Sequence, residues 1–153
     1  MILLYGLSLT KKGRTVFIED NKEFFNKMDK KYPLLEKYLI KYTTKITQWE
    51  FILNSPNKLE LKLPKEILKT KWDVILVDGP KGFDEPYADD IPGRMQSIYM
   101  ASKLVQRDGY IFVDDCHRKV ESTYSDKYLL KENLIKEVKQ RNTLRQYKMI
   151  AYN

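Results

Sequence analysis

Residues 72–95, WDVILVDGPKGFDEPYADDIPGRM, join the strongest buried-strand signal in the chain to its densest polar loop. Val74, Ile75, Leu76 and Val77 form a continuous apolar run rich in β-branched side chains. That is the pattern of a strand covered on both faces, as in the parallel sheet of an α/β domain. Asp78-Gly79-Pro80 ends the run. In an open α/β sheet the ligand crevice lies beyond the carboxyl ends of the strands, which puts Asp78 and its loop where chemistry is done. The simpler alternative is that Asp78 only caps a turn.

Upstream, residues 2–5 are a short apolar run closed by Gly6, and residues 15–18 (TVFI) are a second, closed by Glu19-Asp20-Asn21. A strand, a glycine turn and an acid at the end of the next strand are the parts of a nucleotide-binding half-fold, in which the acid accepts hydrogen bonds from ribose hydroxyls. The spacing breaks that pattern. Only residues 7–14 separate the two runs, whereas a parallel crossover with its helix needs about 10–12 residues or more. Either the first crossover helix is missing, or the first strand pairs differently, or residues of the natural protein are absent between them. Asn21 is placed to cap a helix with Phe24, Phe25 and Met28 on its apolar face and Pro33 at its exit. Residues 38–42 alternate as a third strand, and residues 47–53 fit a helical turn or a strand equally. Pro64 opens a short helix over residues 65–69 that leads into the Trp72 strand.

Downstream, residues 94–106 carry Met95, Ile98, Tyr99, Ala101, Ser102 and Val105 at helical spacing, with Asp108-Gly109 as the stop. Residues 110–113 form the next buried strand, which ends in a second polar cluster, Asp114-Asp115-Cys116-His117-Arg118. If this strand is a parallel neighbour of the first, Asp78, Asp114 and Asp115 face one crevice. Residues 122–130 predict a helix, and residues 134–138 and 144–151 a closing antiparallel pair.

The 153 residues, 42% of them hydrophobic, suit one domain over residues 1–153 with a single core. Cys116 and His117 are the only residues of their types, which excludes an intrachain disulfide, a cysteine-based zinc cluster and a multi-histidine metal site. A carboxylate-rich magnesium or manganese site stays open, and no metal ligand is assigned. No run approaches the roughly 18 apolar residues that span a bilayer, and MILLYG is too short for a signal sequence, so a soluble chain or soluble part of one is expected. The formal charge of +7 favours an anionic partner, an acidic glycan or nucleic acid. The lysines are scattered over every segment and no C2H2, RNP or GXXG pattern occurs, which disfavours a dedicated nucleic-acid module.

One acid at the end of the second strand, one at the fourth and a polar group at the fifth are enough to place a nucleotide-like cofactor and a reacting hydroxyl. Methyl transfer from a sulfonium needs in-line positioning of the acceptor oxygen and a base for its proton. Asp78, Asp114, Asp115 and His117 are the available bases. Burial and neighbouring carboxylates raise an Asp pKa, and the adjacent Arg118 opposes that. His117 reads equally as a surface or hydrogen-bonded structural residue. Arg94, beside Pro92-Gly93, presents an always-charged fork suited to a carboxylate or phosphate, or else it pairs with Glu85, Asp89 or Asp90.

Three motifs in order, VDGPKGF, PGRMQSIYMAS and FVDDCHRKVESTYSDKYL, resemble the glucuronoxylan 4-O-methyltransferases and related plant polysaccharide-biosynthesis proteins, the IRX15-like group. TVFIED followed by YPLLEKYLIKY resembles that family's segment after its cofactor loop, so the likeness runs from Gly13 to about Leu130. The resemblance implies a Rossmann-like class I methyltransferase sheet, α/β and mostly parallel with a C-terminal antiparallel hairpin, here without the first crossover helix. It also implies S-adenosylmethionine as methyl donor and O-methylation of an acidic sugar, of the glucuronic acid type, on a glycan.

Carried over by position, Gly6 matches the first glycine of the cofactor loop and Glu19, with Asp20 beside it, the acid after the second strand. Asp78 matches the acid of the VDGP-type motif, as a cofactor contact or base. Arg94 matches the arginine of PGRM and, with Lys81 and Arg118, stands on the substrate side. Asp115, Arg118 and Glu121 match the family's HDV-R-VE pattern. Three departures stand out: Leu7-Ser8-Leu9 replaces the second glycine and helix, Asp114 stands where His is usual, and His117 where Asp is usual. The resemblance also implies a Golgi-lumen setting, as for the plant relatives, whose membrane anchor is not expected within these residues. Two alternatives remain open, a non-catalytic member serving in polysaccharide biosynthesis or glycan binding, and a methyltransferase for RNA or a small molecule.

Overall fold

Alternation within the strands decides which side of the sheet becomes the core. The computed structural model describes residues 1–6, 13–82 and 91–152. In chain order its elements are β1 (Ile2–Gly6), β2 (Arg14–Glu19), α1 (Lys22–Lys31), β3 (Glu36–Leu39), α2 (Trp49–Ile52), α3 (Pro56–Leu59), α4 (Lys65–Lys69), β4 (Trp72–Val77), α5 (Met95–Leu104), β5 (Val105–Val113), α6 (Lys119–Ser125), β6 (Leu134–Lys139) and β7 (Thr143–Lys148). The strands form one sheet in the order β3-β2-β1-β4-β5-β7-β6. Strands β2 and β3 pair parallel, as do β4 and β5. β1 is antiparallel to both β2 and β4, and β7 to both β5 and β6. Five strands therefore point one way, with β1 and β7 reversed.

Registered across the sheet, Ile18, Ile2, Val77 and Val113 make one row, and Val16, Leu4, Ile75, Ile111 and Tyr147 the next. Cross-strand partners share a face, and every member of both rows is at most 2% exposed. Over this face runs α5, the crossover between parallel β4 and β5, which buries Met95, Ile98, Tyr99, Met100, Ala101 and Leu104. Each such side chain contributes about 1.5–3 kcal/mol when taken from water. The expectation that the Ile75 strand is covered on both faces holds in part: Leu3, Phe17, Leu76 and Phe112 on the opposite face are half-buried. A polar clamp fixes the register of α5. Gln96 is fully buried and its Oε1 accepts from the backbone N–H groups of Thr43 and Thr44 at 2.9 and 3.3 Å. Its Nε2 donates to Thr43 Oγ1 and to the Glu60 carbonyl at 2.9 and 3.0 Å.

Several sequence expectations move. The first strand pairs antiparallel, one of the alternatives its short connection left open, so β1 is no part of a parallel crossover. Asn21 caps α1 as predicted, its Oδ1 accepting from Phe24 N at 2.9 Å, yet α1 has no buried residue and its apolar stripe lies at the surface. β3 begins two residues early, residues 46–52 are helical, and α5 stops at Leu104 because Val105 already pairs with Trp72. Asp108, at φ 62°, and Gly109 form an irregularity inside β5 between that pair and the Val74–Tyr110 pair. The closing hairpin forms as expected. Among the described residues no helix is long and apolar enough to cross a membrane. Glu85, Asp89, Asp90 and the Leu7-Ser8-Leu9 link lie outside the described residues.

Candidate functional site

Because β2, β4 and β5 point the same way, their carboxyl ends bring Glu19, Asp78 and Asp114-Asp115 to one edge of the sheet. The Asp114 N–H extends the β4–β5 pairing by donating to the Val77 carbonyl at 3.0 Å. One carboxylate oxygen from each of Asp78, Asp114 and Asp115 lies within 4.8 Å of the others. A crevice of about 420 Å³ opens there, walled by Glu19, Asp20 and Phe24 on one side and by Asp78, Lys81, Arg94, Asp115 and Arg118 on the other.

Arg94 organises the second wall. It is 3% exposed, and its Nε donates to the Pro80 carbonyl at 3.0 Å and Nη1 to the Asp114 carbonyl at 2.8 Å. Its Nη2 donates to Asp115 Oδ2 at 2.6 Å and to Asp78 Oδ1 at 3.4 Å. A guanidinium has five N–H groups, so little of this fork is left for an outside anion. In the structure Arg94 is a strut that ties the β4 loop to the β5 loop. Among the described residues its ion-pair partners are Asp115 and Asp78.

Asp115 is 4% exposed and sits at φ 61°, in the left-handed region that Asp tolerates better than most side chains. This backbone turn directs its carboxylate inward, where Oδ2 is shared by Arg94 and by Arg118 at 3.1 Å. Its Oδ1 is buried without a hydrogen-bond partner among the described residues. Arg118 also donates to the Lys81 carbonyl at 3.1 Å and to the Gly82 carbonyl, and lies 3.8 Å from the fully buried Glu121. Gly82, at φ 44°, is where the loop passes over Glu121: a Cβ there would stand 3.3 Å from Glu121 Oε1.

Asp78 is the accessible acid of the group, its side chain 45% exposed. Partial burial raises its pKa, Arg94 pulls it back, and Asp114 and Asp115 push it up further. Burial likewise raises Asp20, with the nearby Glu19 carboxylate adding to the effect. Glu19 is 6% exposed and its Oε1 accepts from the N–H groups of Asp20 and Asn21 at 3.0 and 2.8 Å, which fixes its carboxylate at the lip of the crevice.

Not every residue singled out by sequence meets here. Gly6 lies at the opposite end of the sheet, where a Cβ would stand 3.5 Å from the Trp72 ring, because a reversed β1 carries its carboxyl end away from the crevice. His117 is exposed, and its Nδ1 accepts from Thr143 N at 3.4 Å, on the β7 side. Phe24, read from sequence as part of the apolar face of α1, is 48% exposed and lines the crevice. The signal was its place three residues after the Asn21 cap, which pins it next to Glu19 and Asp20.

The family described as IRX15/IRX15L/GXM matches residues 2–60 and 49–147. Among curated proteins, Glucuronoxylan 4-O-methyltransferase 1 of Arabidopsis thaliana is 32% identical over 166 residues, covering 95% of this chain and 56% of that protein. Glucuronoxylan 4-O-methyltransferase 3 is 36% identical, covering 84% of this chain and 48% of that protein. Arabinogalactan O-methyltransferase 1, from the same plant, is 31% identical over 84% of this chain and 52% of its own length. The chain thus spans about half the length of the curated relatives it matches. No solved structure matches it significantly. With the family matching nearly end to end, from β1 to β7, the chain belongs to the IRX15/IRX15L/GXM family.

Proposed function

We propose that this chain carries the reaction crevice of an S-adenosylmethionine-dependent O-methyltransferase that acts on an acidic sugar of a glycan, on a Rossmann-like class I sheet. The observation that carries the reading is the convergence of Glu19, Asp78 and Asp115 at one strand edge, drawn from three separated stretches of sequence. Relatives named for methylating glucuronoxylan and arabinogalactan support the glycan as acceptor. The residues fit the donor on its ribose side: Glu19 offers a fixed carboxylate to hydroxyls, and the exposed Phe24 ring beside it offers a stacking surface. They do not supply the glycine turn of β1, which is at the far end of the sheet. When bound, the donor supplies the methyl group. Asp78, accessible and with a raised pKa, takes the proton of the acceptor hydroxyl, while Arg94 and Arg118 hold Asp115 in place behind it. Lys81 and Arg118 bring positive charge to the mouth where a uronate would enter.

The test is calorimetric titration with S-adenosylmethionine, paired with methylation of glucuronoxylan, arabinogalactan and RNA by the same sample. Saturable donor binding that is lost in Glu19→Ala, with transfer to a glycan only, is the expected result. No donor binding by a folded sample sinks the reading. The reversed β1 favours one competitor, a non-catalytic member of the family that binds glycan, and for it the same titration shows glycan binding without donor binding.

A further inference from the structure

A second groove, larger than the crevice at about 570 Å³, opens at the opposite end of β4. Lys71, immediately before that strand, forms part of its wall, with Tyr99 and Lys103 from the last turns of α5 and Lys127 and Tyr128 from the turn after α6. Six strand residues at roughly 3.3 Å each separate it from Asp78, so a ligand here does not touch the crevice. Among the described residues no Asp or Glu lines it. Two of its cations are held in place by hydrogen bonds: Lys71 Nζ donates to the Lys103 carbonyl at 2.7 Å, and Lys127 Nζ to Asn54 Oδ1 at 2.7 Å. Lys103 Nζ stands 5.4 Å from the Tyr99 ring centre. The tyrosine wall is stiff, since Tyr99 and Tyr128 meet edge to face at 5.2 Å and the Tyr128 hydroxyl donates to the Leu53 carbonyl at 2.7 Å.

We propose that this groove is a second glycan-binding site, which holds a uronate-bearing stretch of polysaccharide through Lys71, Lys103 and Lys127 against the Tyr99–Tyr128 wall. Charge complementarity selects an anion. The volume lies in the range of about 300–1,000 Å³ that takes a small ligand, here a few sugar rings and not a duplex. Single-stranded nucleic acid needs open ring faces for its bases, whereas Tyr99 is 4% exposed and Tyr128 packs against both Tyr99 and Tyr124. The choice of a glycan among anionic polymers rests on the glycan-methyltransferase reading. A chain bound at both ends of the sheet is presented to the crevice at raised local concentration, which gains avidity without any new contact at the reacting sugar.

The full chain is titrated, with no methyl donor present, with glucuronate-bearing xylo-oligosaccharides, with the unsubstituted xylo-oligosaccharide, and with a single-stranded oligonucleotide. Backbone amide shifts of Tyr99, Ser102, Lys103 and Tyr128 report the groove. The acidic oligosaccharide is expected to move these signals, the neutral one to bind at least about tenfold more weakly, and Lys71→Glu/Lys103→Glu to weaken acidic binding by about tenfold or more. Both lysines are exposed, and a dispersed spectrum of the double variant confirms its fold. Should that spectrum collapse, Tyr152→Ala, at a 47% exposed lining position, is expected to weaken acidic binding in its place. Unmoved groove signals, equal binding of the neutral sugar, unchanged affinity in the folded variant, or tighter binding of the oligonucleotide would each overturn the proposal. Groove binding by a sample that transfers no methyl group removes the enzymatic reading and leaves this one standing. Transfer without groove shifts does the reverse.

Discussion

Arg94 and Asp115 form a pair in which each side chain is about 95% hidden from water, and such a pair is more informative when broken than when counted. Removing one partner strands a buried charge, so Arg94→Ala is expected to lower unfolding free energy by about 3–5 kcal/mol in urea titrations. Arg94→Lys recovers only part of it, because an ammonium cannot reach the Pro80 and Asp114 carbonyls and two carboxylates with one planar fork. Asp78 behaves in the opposite way. Its folded pKa lies above the ordinary 3.8, so between those two values the folded state holds the extra proton and stability falls as pH rises through the window. Above the window the cost of the charge is fully present. Asp78→Asn should therefore melt higher than the parent at pH 7, with the difference vanishing below about pH 4, while methyl transfer drops by roughly 10²–10⁴-fold. A variant that melts lower at pH 7 refutes the assignment of burial as the dominant influence on Asp78. At this scale the acids were legible in the sequence, because each follows an apolar run whose end can be seen. The Arg94–Asp115 pair was not: the parallel β4–β5 pairing delivers Asp115 to Arg94 from the next strand, 21 residues away in sequence.

At the scale of elements, α5 is the part whose role was easiest to anticipate and whose anchoring was hardest. Its apolar spacing is visible, but the buried Gln96 breaks the pattern on paper and completes it in the fold by satisfying the N–H groups of Thr43 and Thr44. Gln96→Leu leaves the N–H of buried Thr44 unpaired, and is expected to cost about 1–3 kcal/mol, measured by denaturant midpoint. Hydrogen exchange at Thr43 and Thr44 should accelerate more than exchange in β7, which the clamp does not touch. The α1 stripe misled for a related reason. Periodicity reports that one helical face is apolar, and says nothing of how deeply a partner element covers it; α1 packs only lightly on β2, with Phe25 and Met28 half-buried, so Phe24 was free to serve the crevice. Strand β1 was ambiguous for a simpler reason. The alternating burial of Ile2, Leu3 and Leu4 packs equally well in either direction, and only hydrogen bonding to β2 and β4 distinguishes them.

At the scale of the whole molecule, β1 lies between the β2–β3 half of the sheet and the β4–β5 half, and the two buried rows run through it without interruption. Leu4 is fully buried in the longer row, and Leu4→Ala should cost about 2–5 kcal/mol. The unfolding transitions followed by tryptophan fluorescence, from Trp49 and Trp72, and by far-ultraviolet ellipticity should coincide in that variant, since one continuous core serves both halves. Two separated transitions would show that the halves unfold independently.

The placement of β1 also bears on how the crevice comes into being. Ile2 pairs with Val77, and the acids of the two walls belong to segments separated by most of the chain, so no local stretch contains a partial site. Pairings this distant in sequence form late, after loop closure has been paid for by the rest of the fold. The complete crevice is therefore expected only once these long-range pairings are made, and a ligand for it favours chains that have completed the sheet.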